Sequence, residues 1–236
     1  MWEFNDFNEW IEKGSSIDKN VTHLDISNSN IERLGNLENL VNLEYLNCNN
    51  NILTSLEGIE NLVNLEYLYC SCNNLNSLEE IENLTDLKYL HCEYNNLTSF
   101  KGIENLNNLE YLSCKNNNLT SLEGIENLIN LENLHCGNNN LTSLEGIENL
   151  DNLEYLCCQN NNLTSLEGIE ILVKLVKNRN NLVNIIYWNF IDSDDYIKLN
   201  ELFNNLIGCK NSFHKYIGEI EEIIKELNGF QKYVLK

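Results

Sequence analysis

Positive charge is scarce in this chain. Fifteen Lys and Arg stand against 36 Asp and Glu in 236 residues, leaving a net charge of −21. The deficit is local: residues 1–170 carry 28 acids and six bases, whereas residues 171–236 carry eight and nine. So acidic an array has no basic footprint for a phosphate backbone, which argues against nucleic acid as a partner. It suits a basic partner, or simply a solvated surface that repels its own kind. Long apolar runs are also missing; none approaches the ~18 residues a membrane span needs. The opening MWEFNDFNEWIEKG sets acids among aromatics where a secretory signal has a basic stretch, so a cytoplasmic location is expected, with no membrane partner. Nine cysteines occur without one C-x-x-C. Cys70-Ser-Cys72 and Cys157-Cys158 alternate or adjoin and lack zinc-ligand spacing, so neither a metal nor a cofactor is expected.

What the chain has in abundance is itself. LEYLNCNNNILTSLEGIENLVN at 43–64 returns in near-copies starting at Leu65, Leu87, Leu109, Leu131 and Leu153, a step of 22 residues each time. Self-similarity at a fixed period is the signature of a solenoid, in which each copy packs only on its neighbours. Within a copy the apolar places are those of Leu43, Leu46, Cys48, Leu53, Leu56, Ile59 and Leu62. Cys48, Cys70, Cys92, Cys114, Cys136 and Cys158 sit two residues after an inward leucine, the same face of a strand, and are expected to be buried, reduced and structural. The asparagines Asn51, Asn73, Asn95, Asn117, Asn139 and Asn161 are expected to turn inward and bond backbone groups that the bend leaves unpaired. The S-L-E-G-I-E-N-L stretch repeats its apolar residues every third place, the spacing of a 3₁₀-like return on the convex side.

The ends read differently. Phe4, Phe7, Trp10 and Ile11 follow helical spacing before Gly14, so 1–20 is expected to be a helical cap over the array's first edge. Repeat one, 21–42, is divergent but in frame. Near 170 three residues drop out, and restarting at Leu172 restores the pattern through Trp188 and Ile191 as a closing eighth repeat. Eight strands at ~4.8 Å make an array roughly 40 Å long. Asp192 to Asp195 is a helix N-cap cluster, and 194–236 is expected to form a two-helix C-terminal cap. The organisation is thus a cap at 1–20, a solenoid at 21–193 and a cap at 194–236.

These residues resemble the 22-residue class of leucine-rich repeats found in bacterial internalins and in the leucine-rich regulator of protein phosphatase 1. The asparagine-rich wording and the Trp10-Ile11-Glu12 cap are similar to uncharacterised leucine-rich repeat proteins of amoeba-infecting giant DNA viruses. The resemblance implies an α/β solenoid with a parallel concave sheet, and for a viral protein a host-cytoplasm setting, without an assigned activity.

Candidate functional residues lie on the strands, at the places flanking the buried leucine and cysteine. The third place reads His23, Tyr45, Tyr67, Tyr89, Tyr111, Asn133, Tyr155, Lys174, and should stack its tyrosines across neighbouring strands. The fifth reads Asp25, Asn47, Tyr69, His91, Ser113, His135, Cys157, Val176. Tyr69, His91 and Tyr94 are expected to thicken the stripe at repeats three and four. Tyrosine suits an interface because it offers rigid apolar area with a polar tip, although it also stacks well simply as a strand former. His135 and Cys157 share a column, the composition of a nucleophile with its base or of half a metal site. No third orienting group or oxyanion donor is forced nearby, so recognition is expected instead of catalysis. Glu44, Glu66, Glu110, Glu132 and Glu154, broken by Lys88, edge the tyrosines and suit a partner carrying Lys or Arg among apolar residues.

The expected function is therefore a non-catalytic, monomeric protein-binding module using Tyr45, Tyr67, Tyr69, Tyr89, His91, Tyr94, Tyr111, His135 and Tyr155. A scaffold or virion component without one specific ligand is an alternative, as is regulation of an enzyme through the C-terminal helices.

Overall fold

In a computed structural model of the protein, the structure describes residues 2–3, 20–35 and 37–163. Eight strands form one parallel sheet in chain order: β1 (Trp2–Glu3), β2 (His23–Asp25), β3 (Tyr45–Asn47), β4 (Tyr67–Tyr69), β5 (Tyr89–His91), β6 (Tyr111–Ser113), β7 (Asn133–His135) and β8 (Tyr155–Cys157). Six full turns of a solenoid separate β2 from β8. β2 to β8 are only three residues long and β1 only two, too short to be stable unless stacked. The common period supplies the stacking, because every residue lies opposite its own equivalent, Tyr45 with Tyr67, Leu46 with Leu68, Asn47 with Tyr69.

Inside the turns the leucines, isoleucines and the six repeat cysteines form one continuous core, with Leu46, Leu68, Leu90 and Leu112 wholly buried. The cysteine column is where the sequence places it, all six sulfurs inside. The Cys70, Cys92 and Cys114 thiols each donate to a carbonyl of the next strand, those of His91, Ser113 and His135, at 3.3 Å. Burial pushes the Cys48 and Cys158 thiols up to about 12 and the others well above their ordinary range, so they stay protonated and inert.

The asparagines also turn inward, each 7% exposed. Asn95 is typical. Its Nδ2 donates to the carbonyls of Cys70 at 3.0 Å and Cys92 at 3.1 Å, and its Oδ1 accepts the Leu75 N–H at 2.9 Å. One side chain thereby ties two repeats together and pairs backbone groups that burial would leave unsatisfied. The residue before each ladder asparagine is left-handed, with φ near +55° at Asn50, Cys72, Tyr94, Asn116, Asn138 and Asn160. This bend turns the chain out of the strand. Asparagine tolerates the conformation better than other side chains, which accounts for the recurrent Asn there and marks Cys72 and Tyr94 as exceptions.

The convex return keeps the expected spacing of three but is mostly a run of separate turns. The N–H of Ile59 bonds Leu56 O, Leu62 bonds Ile59 O and Leu65 bonds Leu62 O. Continuous 3₁₀ turns are described only at Leu37–Asn39 and Glu79–Ile81. The second has a cause in sequence. Other repeats carry a glycine at that place with φ near +105°, as at Gly58 and Gly102, whereas Glu80 cannot readily adopt it. A Cβ at Gly102 would also lie 2.1 Å from the Leu78 carbonyl oxygen. A second ladder, absent from the sequence reading, runs along this side: Asn64, Asn108, Asn130 and Asn152 each donate to the carbonyl 23 residues earlier, at 2.7–2.9 Å.

At the N-terminal end Trp2–Glu3 pairs in parallel with β2, Trp2 opposite Leu24. The first residues of the expected helical cap therefore extend the sheet, using the backbone groups that an edge strand leaves unpaired. The helix expected from Phe4 to Ile11, the eighth repeat and the C-terminal helices of 194–236 lie outside the described residues. Among the described residues no helix is long and apolar enough to cross a membrane, and no three His, Cys, Asp or Glu converge as metal ligands.

Candidate functional site

With Leu46-type residues facing in, the third and fifth places of every strand face the concave side, and the parallel register brings their rings together. Nine rings make one unbroken run. His23 stacks on Tyr45 with centroids 5.6 Å apart, Tyr67 on Tyr89 at 4.9 Å, and Tyr89 on Tyr111 at 6.1 Å. In the fifth place Tyr69 stacks on His91 at 4.7 Å. The two columns then cross over: His91 lies 4.7 Å from Tyr111, Tyr111 lies 5.2 Å from His135, and His135 lies 4.6 Å from Tyr155. The gap left by Asn133 in the tyrosine column is thus closed diagonally by the His135 ring. Ser113, whose small side chain is buried, leaves room for that crossing.

Of the residues singled out in sequence, the structure brings together Tyr45, Tyr67, Tyr69, Tyr89, His91, Tyr111, His135 and Tyr155. Tyr94 stands apart. It occupies the left-handed bend after β5, is 59% exposed, and joins no ring contact among the described residues. A side chain on that bend leaves the alternation of the strand, so its direction does not follow from position counting. His135 and Cys157 are register partners on β7 and β8, with no hydrogen bond between their side chains among those the structure shows.

The seventh place, which sequence reasoning passed over, carries a polar knot. The Glu93 carboxylate contacts His91 Nδ1 at 3.2 Å and accepts from the Ser71 hydroxyl, with only 18% of its side chain exposed. Burial alone would raise its pKa, but hydrogen bonds from His91, Ser113, Ser71 and the backbone outweigh this and hold it at about 2. Glu93 therefore stays charged and braces His91 between Tyr69 and Tyr111. His135 goes the other way: burial first, then the Lys115 charge, outweigh the pull of Glu93 and lower it to about 4. It is a neutral ring at ordinary pH. The available signal was simple, since Glu93 is the one acid in a column otherwise reading Ser27, Asn49, Ser71, Lys115, Gly137 and Gln159.

Along the edge, Lys88 bonds Glu66 at 3.0 Å, so the lone cation in the acidic row is neutralised within it. Glu44, Glu66 and Asp86 line a shallow groove beside the rings. Part of the remaining acidity is structural. Glu60, Glu104, Glu126 and Glu148 each accept the N–H of the glycine two residues earlier, at 2.7–2.9 Å.

This architecture has known counterparts. The family model described as leucine-rich repeats (2 copies) matches residues 19–61, 63–108, 87–129, 107–151 and 129–171. Among solved structures, a leucine-rich repeat protein of Leptospira interrogans is 32% identical with a TM-score of 0.63, over 67% of this chain and 42% of that one. The functional domain of InlJ from Listeria monocytogenes, which includes a cysteine ladder, is 28% identical with a TM-score of 0.53, over 74% of this chain and 40% of that one. Internalin C2 of Listeria monocytogenes aligns at 21% identity with a TM-score of 0.49, over 68% of this chain and 85% of that one. The chain spans about two fifths of the length of the Leptospira and InlJ chains. No curated protein sequence matches. The three structures are bacterial. The family's members typically act as protein–protein interaction modules. With its 22-residue period, parallel sheet and buried asparagine ladder, this chain belongs to the leucine-rich repeat family.

Proposed function

We propose that the protein is a non-catalytic binding module that recognises a protein partner on its concave face. The observation that carries this is the unbroken run of nine rings from His23 to Tyr155, edged by carboxylates. The rings are half-buried by one another, so little side-chain freedom remains to be lost on binding, which favours affinity. Their edge of Glu44, Glu110, Glu132 and Glu154, with Glu66 held by Lys88, selects basic partners and speeds their approach. A reducing cytoplasm, the host's if the gene is viral, suits eight described cysteines that are all free thiols.

The test is a Tyr67→Ala, Tyr89→Ala, Tyr111→Ala triple variant. It should keep its cooperative unfolding transition and lose a partner captured by the intact chain. Undiminished capture by the folded variant would sink the concave-face assignment.

A further inference from the structure

Over the middle of the concave face the rings lie nearly flat on one another, with interplanar angles of 11° for Tyr67–Tyr89 and 13° for Tyr69–His91. At the N-terminal end this regularity breaks. Tyr45 is tilted 38° against Tyr67 and 41° against Tyr69, with centroids 6.4 and 5.3 Å away. Splayed rings leave space between them, here a recess of about 440 Å³ lined by His23, Leu24, Asp25, Tyr45, Tyr67 and Tyr69. The Asp25 carboxylate is its one full charge. One oxygen accepts the Ser27 N–H at 2.9 Å and the other the Asn47 amide at 3.0 Å, which holds the group in place and leaves further lone pairs on both oxygens. Burial, then the neighbouring Tyr69 and Asp25, raise the Tyr45 phenol, so it stays neutral.

Three tyrosine rings beside one fixed carboxylate make a surface for a cation, because the face of an aromatic ring is the negative pole of its quadrupole. We propose that this recess seats an Arg or Lys side chain from a basic polypeptide segment of the partner. This rests on the concave-face reading above and specifies what the partner brings to it. A polypeptide is favoured over a free small cation by what adjoins the recess. The groove of Glu44, Glu66 and Asp86 crosses successive repeats just before β3, β4 and β5, with Glu44 about 10 Å from the Asp25 column at three residues' spacing. Lys88 already occupies Glu66, leaving Glu44 and Asp86 to receive a second cation of the same segment. A single small ammonium ion would use only half of this arrangement.

The experiment follows the tyrosine ring resonances of the intact chain by NMR. The probes are Ac-Gly-Arg-Gly-NH₂, its neutral citrulline counterpart, Ac-Gly-Arg-Gly-Gly-Arg-Gly-NH₂, and tetramethylammonium chloride. The one-Arg peptide should shift Tyr45, Tyr67 and Tyr69 but not Tyr155, with a Kd on the order of 1 mM. The two-Arg peptide should bind about tenfold tighter through the second contact. Asp25→Asn should weaken the one-Arg peptide about tenfold, and Tyr45→Leu should abolish the shifts at Tyr67 and Tyr69. In both variants unchanged Tyr111 and Tyr155 resonances report an intact array. Equal shifts with the citrulline peptide, or no effect of Asp25→Asn, would overturn the cation site. Tetramethylammonium binding more tightly than the two-Arg peptide would overturn the polypeptide assignment. No partner is needed, so a failure here beside lost capture by the triple tyrosine variant removes the recess assignment and leaves the concave-face reading standing.

Discussion

Two ladders run side by side through this solenoid, one of asparagine amides inside and one of aromatic rings outside. Both climb the same parallel register, yet they are built to different tolerances. The inner ladder is the same in six copies, because each amide meets the same carbonyls and the same N–H in a place without water. The outer ladder changes residue, column and tilt as it goes, from the flat Tyr67–Tyr89 pair to the splayed Tyr45 and the diagonal His135. Water can repair a gap on the outer face but not on the inner one, so variation is permitted outside and penalised inside.

That contrast can be broken in steps of decreasing size. Asn95→Ala should be the most damaging, since it leaves the buried Leu75 N–H without its acceptor and takes from the Cys70 and Cys92 carbonyls one of the two ladder amides that each receives. A loss of about 3 kcal/mol is expected in urea unfolding, against about 1 kcal/mol for Tyr89→Ala on the outer ladder. A comparable cost for the two would erase the distinction.

Glu93 is the outer residue that behaves most like an inner one. Its folded-state pKa lies near 2, below the usual carboxylate value of 4.5. The folded carboxyl thus binds its proton later than the unfolded one as pH falls. Stability that is fully present above about pH 4.5 should be lost between that pH and 2, amounting to about 1–2 kcal/mol after allowing for solvent screening. Glu93→Gln should flatten this limb of the urea-midpoint profile. His135 adds a loss of the same sign at milder pH, from about 6.5 down to 4, because its lowered pKa makes the unfolded state the better proton acceptor there. His135→Gln should remove only that upper limb.

Tyr94 sits in a left-handed bend that five of its six equivalents, all but Cys72, fill with asparagine. Tyr94→Asn should therefore stabilise the array by about 1 kcal/mol, a gain that thermal unfolding would show and that an unchanged or lowered midpoint would refute. The smallest effect belongs to Cys72, an exposed thiol on the equivalent bend. Alkylating it should leave the urea midpoint where it was, whereas Cys48, Cys70, Cys92, Cys114, Cys136 and Cys158 should label only as the array unfolds.

Much of this was legible in the residues because one period carries both ladders. Counting two places from Leu46 to Cys48 predicts burial, and counting 22 from Tyr45 to Tyr67 predicts a neighbour. Counting fails where the chain leaves the strand. Position counting puts Tyr94 in the stripe, but the bend sets it apart from the rings, and Glu93 belongs to a column whose direction depends on that same bend. The glutamates after each convex glycine looked like surface charge, yet they cap backbone N–H groups. At the N-terminal edge the helical spacing starts only at Phe4, while Trp2–Glu3 pairs as a strand with the open edge of β2.

By itself, then, the sequence determined the solenoid, its parallel register, its buried thiols and its asparagine ladder. Identical units at a constant step can bury their apolar places only by stacking, and stacking puts each residue on its own copy. Only the tertiary structure decided how the rings tilt, that His135 bridges the Asn133 gap, that Glu93 is braced by Ser71 and His91, and that Tyr45 opens a recess over Asp25. Those features depend on side-chain rotation against neighbours 22 residues away, and a linear pattern does not encode that angle.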